Sequence, residues 1–136
     1  MKYYAVADTN VLVSALLSKK SDSATVLVIN RILLGDVIPL YSNETMKEYR
    51  EVLARPKFKF EPSAVEYILS ALERFGIQVE PSQTGIILPD VKDIPFYEIV
   101  MERREDNPYL VTGNIRHFTG ESFIVTPAEF LKILNG

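Results

Sequence analysis

Short apolar segments with β-strand character alternate with segments of helical periodicity along the whole chain. Residues 2–7 (KYYAVA) are almost continuously apolar, which is typical of a strand buried on both faces of a sheet. Further strands are predicted at 37–41, 77–79, 109–111 and 123–125. Because strands that alternate with helices favour parallel pairing, the sequence predicts an α/β fold with a mostly parallel sheet covered on both faces.

Capping residues and prolines predict where the helices begin and end. Proline is excluded from helix interiors, whereas Ser, Asn and Asp accept hydrogen bonds from a first helical turn. Six helices are predicted. The first carries residues 11–16, the second follows a cap at 21–23, and the third begins at Ser42 or Asn43. The fourth opens with a capping box of Ser63 and Glu66, the fifth covers residues 95–104, and the sixth begins at Pro127. Residues 86–88 are apolar but are assigned to no element.

The length and composition indicate one independently folded unit. A chain of 136 residues has the length of one domain, so residues 1–136 are expected to form a single domain. Hydrophobic residues make up 47% of the chain, enough for a buried core without cross-links. Cysteine is absent, which excludes disulfides, thiolate zinc sites, iron–sulfur clusters and thiol nucleophiles.

The charges are distributed unevenly around a net charge of −3. Residues 1–60 hold nine Lys and Arg against six Asp and Glu, whereas residues 61–136 hold six against twelve. Such a chain can present a basic face to a phosphate backbone, although a plain solvated surface explains the same pattern. No apolar run approaches the ~20 residues of a membrane span and no signal-peptide pattern opens the chain, so a cytoplasmic protein without a membrane partner is expected.

Acidic and polar residues adjoin the ends of the predicted strands. They are Asp8 after the first strand, Glu48 early in the helix after the second, Asp90 and Asp93 before the helix that leads to 109–111, and Thr112, Gly113 and Asn114 directly after that strand. In open parallel sheets, ligands bind beyond the carboxyl ends of the strands. These side chains are therefore expected to converge at one edge of the sheet.

Carboxylates that converge need a compensating positive charge. Two of them ~5 Å apart repel by roughly 3 kcal/mol at an effective dielectric of ~20. With no Cys and one His in the chain, a hard divalent cation such as Mg²⁺ or Mn²⁺ is the expected ligand, and such ions serve phosphodiester cleavage. For single residues there are structural alternatives: Asp8 and Asn43 as helix caps, and Glu48 as a solvated helix position.

Ordered motifs that run nearly end to end give the chain a family resemblance. They are residues 8–15 (DTNVLVSA), residues 42–49 (SNETMKEY) with 55–58 (RPKF), residues 90–93 (DVKD) with Phe96, and residues 109–114 (YLVTGN) with 117–118 (HF) and 125–131 (VTPAEFL). In this order they resemble the motifs of PIN-domain nucleases. The closing segments are similar to the branch regarded as toxin components of toxin–antitoxin pairs.

The resemblance implies a three-layer α/β/α sandwich with a five-stranded, mostly parallel sheet. It also implies an endoribonuclease that depends on Mg²⁺ or Mn²⁺, with RNA as substrate, an antitoxin protein as partner and a homodimer. The exposed apolar residues of the helices spanning 43–75 are the expected seam of that homodimer. Transferred by position, the resemblance makes Asp8, Glu48 and Asp93 the catalytic and metal-binding acids. Asn10 and Thr112 would orient these acids.

Asn114 departs from the family pattern, in which a fourth acid usually follows Thr-Gly. Asparagine keeps an acceptor oxygen but lacks the full charge, so it can hold a metal-bound water or orient a carboxylate, and one well-occupied metal site is expected. His117, the only imidazole, is interpreted as a structural hydrogen-bond partner. The candidate contacts to RNA phosphates, on or just after the Glu48 helix, are Arg50, Arg55, Lys57 and Lys59.

Two other functions compete with the ribonuclease hypothesis. One is a catalytically weak PIN-like module that binds RNA or protein and has lost an acid at Asn114. The other is a phosphotransferase with Asp8 as nucleophile, because residues 8–10 faintly resemble the Asp-x-Asp loop of haloacid-dehalogenase-like phosphatases. In that loop the second Asp would be Asn10 here, and the expected lysine is not evident.

Overall fold

A computed structural model describes residues 2–118 and 120–136. Its five strands all pair in parallel in the order β3-β2-β1-β4-β5. The strands are β1 (Tyr3–Ala7), β2 (Val37–Tyr41), β3 (Ile77–Gln78), β4 (Tyr109–Val111) and β5 (Ile124–Val125). All five lie where the sequence pattern predicts them, and the sheet is parallel throughout.

Six α-helices connect and follow the strands. They are α1 (Thr9–Leu17), α2 (Ala24–Leu33), α3 (Asn43–Leu53), α4 (Pro62–Phe75), α5 (Ile94–Glu102) and α6 (Pro127–Asn135). Short 3-10 turns lie at Pro56–Phe58, Val91–Asp93, Arg104–Asp106 and Ile115–His117. The apolar residues 86–88 belong to no regular element. No described helix has both the length and the apolar character that crossing a membrane requires.

The strand order places helices on both faces of the sheet. Connections β1→β2 and β2→β3 run toward one edge, whereas β3→β4 runs toward the other, so right-handed crossovers put α2 and α4 on one face and α5 on the opposite face. The packing agrees: α2 packs against α1, α4 and α6, and α5 packs against β1, β2 and β4. This is the expected α/β/α sandwich.

Helix α3 is anchored at the carboxyl edge of the sheet. It contacts α1, α4 and α5, and the buried Tyr49 donates a hydrogen bond from its hydroxyl to the carbonyl of Ala7, the last residue of β1. The Tyr49 ring also meets the buried ring of Phe96 on α5, with 5.9 Å between centroids. The residue beside Tyr49, Glu48, is thereby held near the end of β1.

The capping of α3 and α4 only partly follows the prediction. Ser42 caps α3 and forms a reciprocal capping box with Thr45. The capping box predicted for α4 is wrong: Ser63 lies inside the helix, and Glu61 occupies the N-cap position without a side-chain hydrogen bond. Glu66 instead accepts a hydrogen bond from Arg50 of α3 at 2.9 Å.

Candidate metal-binding and catalytic site

Asp8 stands at the point where β1 ends and α1 begins. It occupies the N-cap position, but its side chain makes no capping hydrogen bond. Instead Oδ2 accepts hydrogen bonds from the Thr112 hydroxyl at 2.7 Å and from the Asn10 side-chain amide at 2.9 Å. The residue is only 5% exposed. The capping alternative therefore does not describe this carboxylate, which is held toward the end of β4.

Thr112 and Asn10 connect Asp8 to the segment that follows β4. The buried Thr112 hydroxyl accepts a hydrogen bond from the backbone amide of Asn114 at 3.0 Å while it donates to Asp8. The side-chain oxygen of Asn10 accepts from the backbone amide of Gly113 at 3.2 Å. These bonds fix the Asp8 carboxylate from two sides.

Glu48 is attached to the same strand end through Thr9. The buried Thr9 hydroxyl donates a hydrogen bond to Oε2 of Glu48, which is half-buried on α3. Thr9 is the residue after Asp8, so this bond draws the Glu48 carboxylate toward the Asp8 carboxylate. A freely solvated position for Glu48 is excluded by this contact.

Asp93 reaches the site from the turn before α5. It is 8% exposed, and its Oδ2 lies 3.4 Å from Nδ1 of His117. Within the described part of the chain this buried oxygen has no hydrogen-bond partner. One ligand atom each from Asp90, Asp93 and His117 lie within 4.8 Å of one another.

The three predicted acids line one cleft at the carboxyl edge of the sheet. Asp8, Glu48 and Asp93 contribute to its walls. Among the other predicted residues, Asn10, Asn114 and Arg55 also line this cleft. Thr112 does not line it but donates a hydrogen bond to Asp8, which does.

Burial raises the pKa values of all three carboxyl groups, and repulsion from neighbouring acids adds to this for Glu48 and Asp93. Burial raises the pKa of Asp8 above its ordinary value, and the hydrogen bond from Thr112 only partly offsets this. For Glu48, burial raises the pKa and the charge of Asp8 raises it further. Burial, followed by the charges of Asp8 and Asp90, raises the pKa of Asp93 to about 6. The ionised forms of the three carboxyl groups are therefore less favourable in this cleft than they are in water.

These residues fit a bound divalent cation. The donors are carboxylate oxygens, the ligand type that hard cations prefer. The buried Oδ2 of Asp93, with no hydrogen-bond partner among the described residues, is an atom that such an ion would satisfy. A cation would also favour the ionised forms that burial disfavours at all three carboxyl groups, and would offset the repulsion at Glu48 and Asp93.

The predicted phosphate-binding cations do not all lie at this cleft. Arg55 lines it, but Arg50 points toward α4, where it pairs with Glu66 at 2.9 Å and Glu73 at 3.4 Å. The other two residues do not line it: the Lys57 ammonium sits 5.1 Å from the ring centroid of Phe58, a residue of the cleft wall, and Lys59 lines a second cavity.

Of four further residues of the cleft, sequence reasoning left three without a role, and it interpreted the fourth, His117, as a structural hydrogen-bond partner. Thr9, Lys92, Phe58 and His117 all contribute to the walls of the cleft. The position of Thr9 beside Asp8 was a signal that it could bond a neighbouring acid. No local pattern, however, indicates that Phe58 would come from beyond α3 to the acids.

Comparison with known proteins agrees with this architecture. A family model described as the PIN domain matches residues 4–116, which is most of the chain. No curated protein and no solved structure gives a significant match. PIN domains are generally nucleases and usually use divalent metals. The match runs from the second residue of β1 through β4 and includes every acid of the cleft, and the chain therefore belongs to the PIN domain family.

Proposed function

We propose that the chain is an endoribonuclease that hydrolyses RNA phosphodiester bonds with Mg²⁺ or Mn²⁺ as its cofactor. The observation that carries the proposal is the convergence of Asp8, Glu48 and Asp93 in one cleft at the carboxyl edge of the sheet. These three residues would hold the ion. When bound, the ion lowers the pKa of a water molecule and neutralises charge on the scissile phosphate.

The residues of the chain position the reacting groups. Thr112 and Asn10 hold the Asp8 carboxylate through its Oδ2. The Thr9 hydroxyl fixes Glu48 at the cleft, where its carboxylate serves either as a further ligand or as the acceptor of the attacking water's proton. The guanidinium of Arg55 lines the cleft and supplies positive charge for a flanking phosphate.

Its biological role, in this proposal, is that of the toxin in a cytoplasmic toxin–antitoxin pair. Residues 109–114 (YLVTGN), 117–118 (HF) and 125–131 (VTPAEFL) carry the resemblance to that branch. The partner would be a cognate antitoxin protein that suppresses the nuclease. Expression of the chain alone should arrest cell growth, and the Asp8→Asn variant should not.

Cleavage of a mixed RNA pool tests the catalytic proposal. We expect degradation with Mn²⁺ or Mg²⁺ and none with EDTA or with the Asp8→Asn variant. The exposed Asp22→Asn variant removes the same charge away from the cleft and should cleave at the parent rate. RNA binding by the parent without cleavage would contradict the proposal and favour the catalytically weak binding module.

A further inference from the structure

The segment of residues 55–60 separates the acidic cleft from a second cavity. The cleft reaches this segment at Arg55 and Phe58. On its other side, Arg55, Lys59 and Phe60 line a cavity of about 340 Å³ between the end of α3 and the start of α4. This volume lies in the range of small-molecule sites. A chain-like ligand could therefore pass from the acids, across the segment, into the cavity.

Phe58 offers an ordered aromatic surface beside the acids. Its ring is half-buried at the cleft and stacks on the ring of Phe60, with 5.1 Å between centroids and 7° between planes. The ammonium of Lys57, an exposed residue, lies 5.1 Å from the Phe58 centroid. An arriving flat ring can displace this flexible side chain, which then becomes free to meet a phosphate.

The charges around the segment suit an anion. Arg55 borders both concavities, and Lys59 borders the second. Glu66, an acid at the second cavity, is paired with Arg50 at 2.9 Å. The remaining walls are largely apolar, with Leu53 and Leu69 buried at the back. Cations beside an apolar cavity and an aromatic ring complement a nucleotide, which combines a phosphate with a flat base.

We propose that this segment is a nucleobase subsite. One unpaired base next to the scissile phosphate stacks on Phe58, the adjoining cavity receives the neighbouring base, and Arg55 meets the phosphate between them. The proposal rests on the proposed ribonuclease function for its substrate. It adds that base stacking at Phe58 selects unpaired nucleotides, because a base inside a duplex has no free face to offer.

Tryptophan fluorescence tests the stacking directly, because the chain contains no tryptophan. The Phe58→Trp variant therefore carries a single reporter, and Leu34→Trp at the end of α2, where the native side chain is 74% exposed and lines neither concavity, is the matched control. A short single-stranded RNA oligonucleotide is titrated in EDTA at low salt, so that binding is measured without cleavage. We expect quenching of Phe58→Trp only, and none when the same RNA is in a duplex.

Affinity measured by anisotropy of the labelled oligonucleotide gives a second readout. Phe58→Leu should weaken binding at least about fivefold, whereas Leu34→Ala, at the exposed end of α2, should not change it. Arg55→Gln should reduce the slope of log affinity against log salt by about 0.7, and the exposed Arg74→Gln should leave the slope unchanged.

An unchanged emission of Phe58→Trp at saturating oligonucleotide would overturn the subsite, as would equal affinities of Phe58→Leu and Leu34→Ala. Failure here is separable from failure of the ribonuclease proposal. A parent chain that cleaves RNA with Mn²⁺ while Phe58→Trp is not quenched loses only the subsite. A chain that shows quenching but never cleaves loses only the nuclease activity.

Discussion

The hydroxyl of Thr112 donates a 2.7 Å hydrogen bond to Oδ2 of Asp8 and thereby joins the ends of two adjacent parallel strands. Asp8 directly follows β1 and Thr112 directly follows β4, in a register that pairs Ala7 with Val111. The backbone amide of Asp8 also donates to the carbonyl of Val111 at 2.9 Å. The position of the Asp8 carboxylate is therefore set by strand pairing.

Replacement of Thr112 by Val should destabilise the metal-free protein by about 1–3 kcal/mol. Valine keeps the shape but removes the donor to Asp8 and the acceptor for the Asn114 amide, in a side chain that is fully buried. The Thr112→Ser variant keeps the hydroxyl and should be destabilised less than Thr112→Val. Urea unfolding in EDTA measures both variants. If Thr112→Ser lost as much as Thr112→Val, the hydrogen bonds would not be the cause.

Replacement of Asp8 by Asn should abolish metal-dependent cleavage and leave the fold intact. The variant keeps an acceptor oxygen for Thr112 and removes a buried charge, whose pKa is raised by burial. We therefore expect a slightly higher melting temperature than the parent in EDTA, and a smaller gain when Mn²⁺ is added. Thermal melts in both conditions check this. A variant that fails to fold would instead support a structural role for the carboxylate.

The pKa of Asp93 predicts a pH dependence of the metal-free protein. Burial raises this pKa from 3.8 to about 6, so between these values the folded chain binds more protons than the unfolded chain. The free energy of unfolding contributed by Asp93 therefore falls as pH rises through this window and is fully lost above it. The Asp93→Asn variant has no carboxyl group to ionise at this position. Its free energy of unfolding, relative to that of the parent, should therefore increase by an amount of the order of 2 kcal/mol from about pH 4 to about pH 7.5.

Urea unfolding in EDTA at the two pH values measures the effect of Asp93→Asn, with Asp22→Asn as the exposed control. A difference between Asp93→Asn and the parent that does not change with pH would contradict the prediction.

Replacement of Asn114 by Asp should strengthen metal binding, most visibly at a second site. Asn114 lines the cleft, and the parent has three formal charges in Asp8, Glu48 and Asp93, enough to neutralise one divalent ion. We expect one well-occupied site in the parent, and cleavage at lower Mn²⁺ concentration in the variant. Titration calorimetry compares the two. Equal affinity and stoichiometry, or tight binding of two ions by the parent, would refute the charge argument.

A homodimer is expected in solution, with its seam on apolar residues of 43–75. In this range Tyr67 and Phe75 are large apolar residues that α4 leaves 66% and 41% exposed. Light scattering should give twice the 15.4 kDa mass of the chain at micromolar concentration. The Tyr67→Ser Phe75→Ser double variant should give the monomer mass, and a parent mass of one chain would disprove the dimer.

Local patterns were sufficient to predict the sheet and the placement of Asp8, Glu48 and Asp93 together near its carboxyl edge. The apolar run of β1 ends at Asp8, and residues that directly follow neighbouring parallel strands must converge. This rule depends only on strand order, so short-range sequence signals can reveal it.

Contacts between distant side chains could not be read in this way. The capping box predicted at Ser63 was wrong: α4 begins at Pro62, so Ser63 lies inside the helix, and Glu66 pairs with Arg50, which lies 16 residues away on another helix. The contact of Glu48 with Thr9 likewise joins two different helices, at positions 39 residues apart in the chain. Such pairs depend on how helices pack, which no local motif records.

The hydrogen bonds between α3 and the junction of β1 with α1 have a consequence for ion binding. Tyr49 bonds to Ala7 and Glu48 bonds to Thr9, the two neighbours of Asp8 in the chain. Two adjacent residues of α3 are thus hydrogen-bonded to the residues on either side of Asp8, one through the buried Tyr49 hydroxyl and the other through the Thr9 hydroxyl. The positions of Asp8 and Glu48 are consequently set by the core, and a cation bound at the proposed site should raise the melting temperature by mass action without reshaping the backbone.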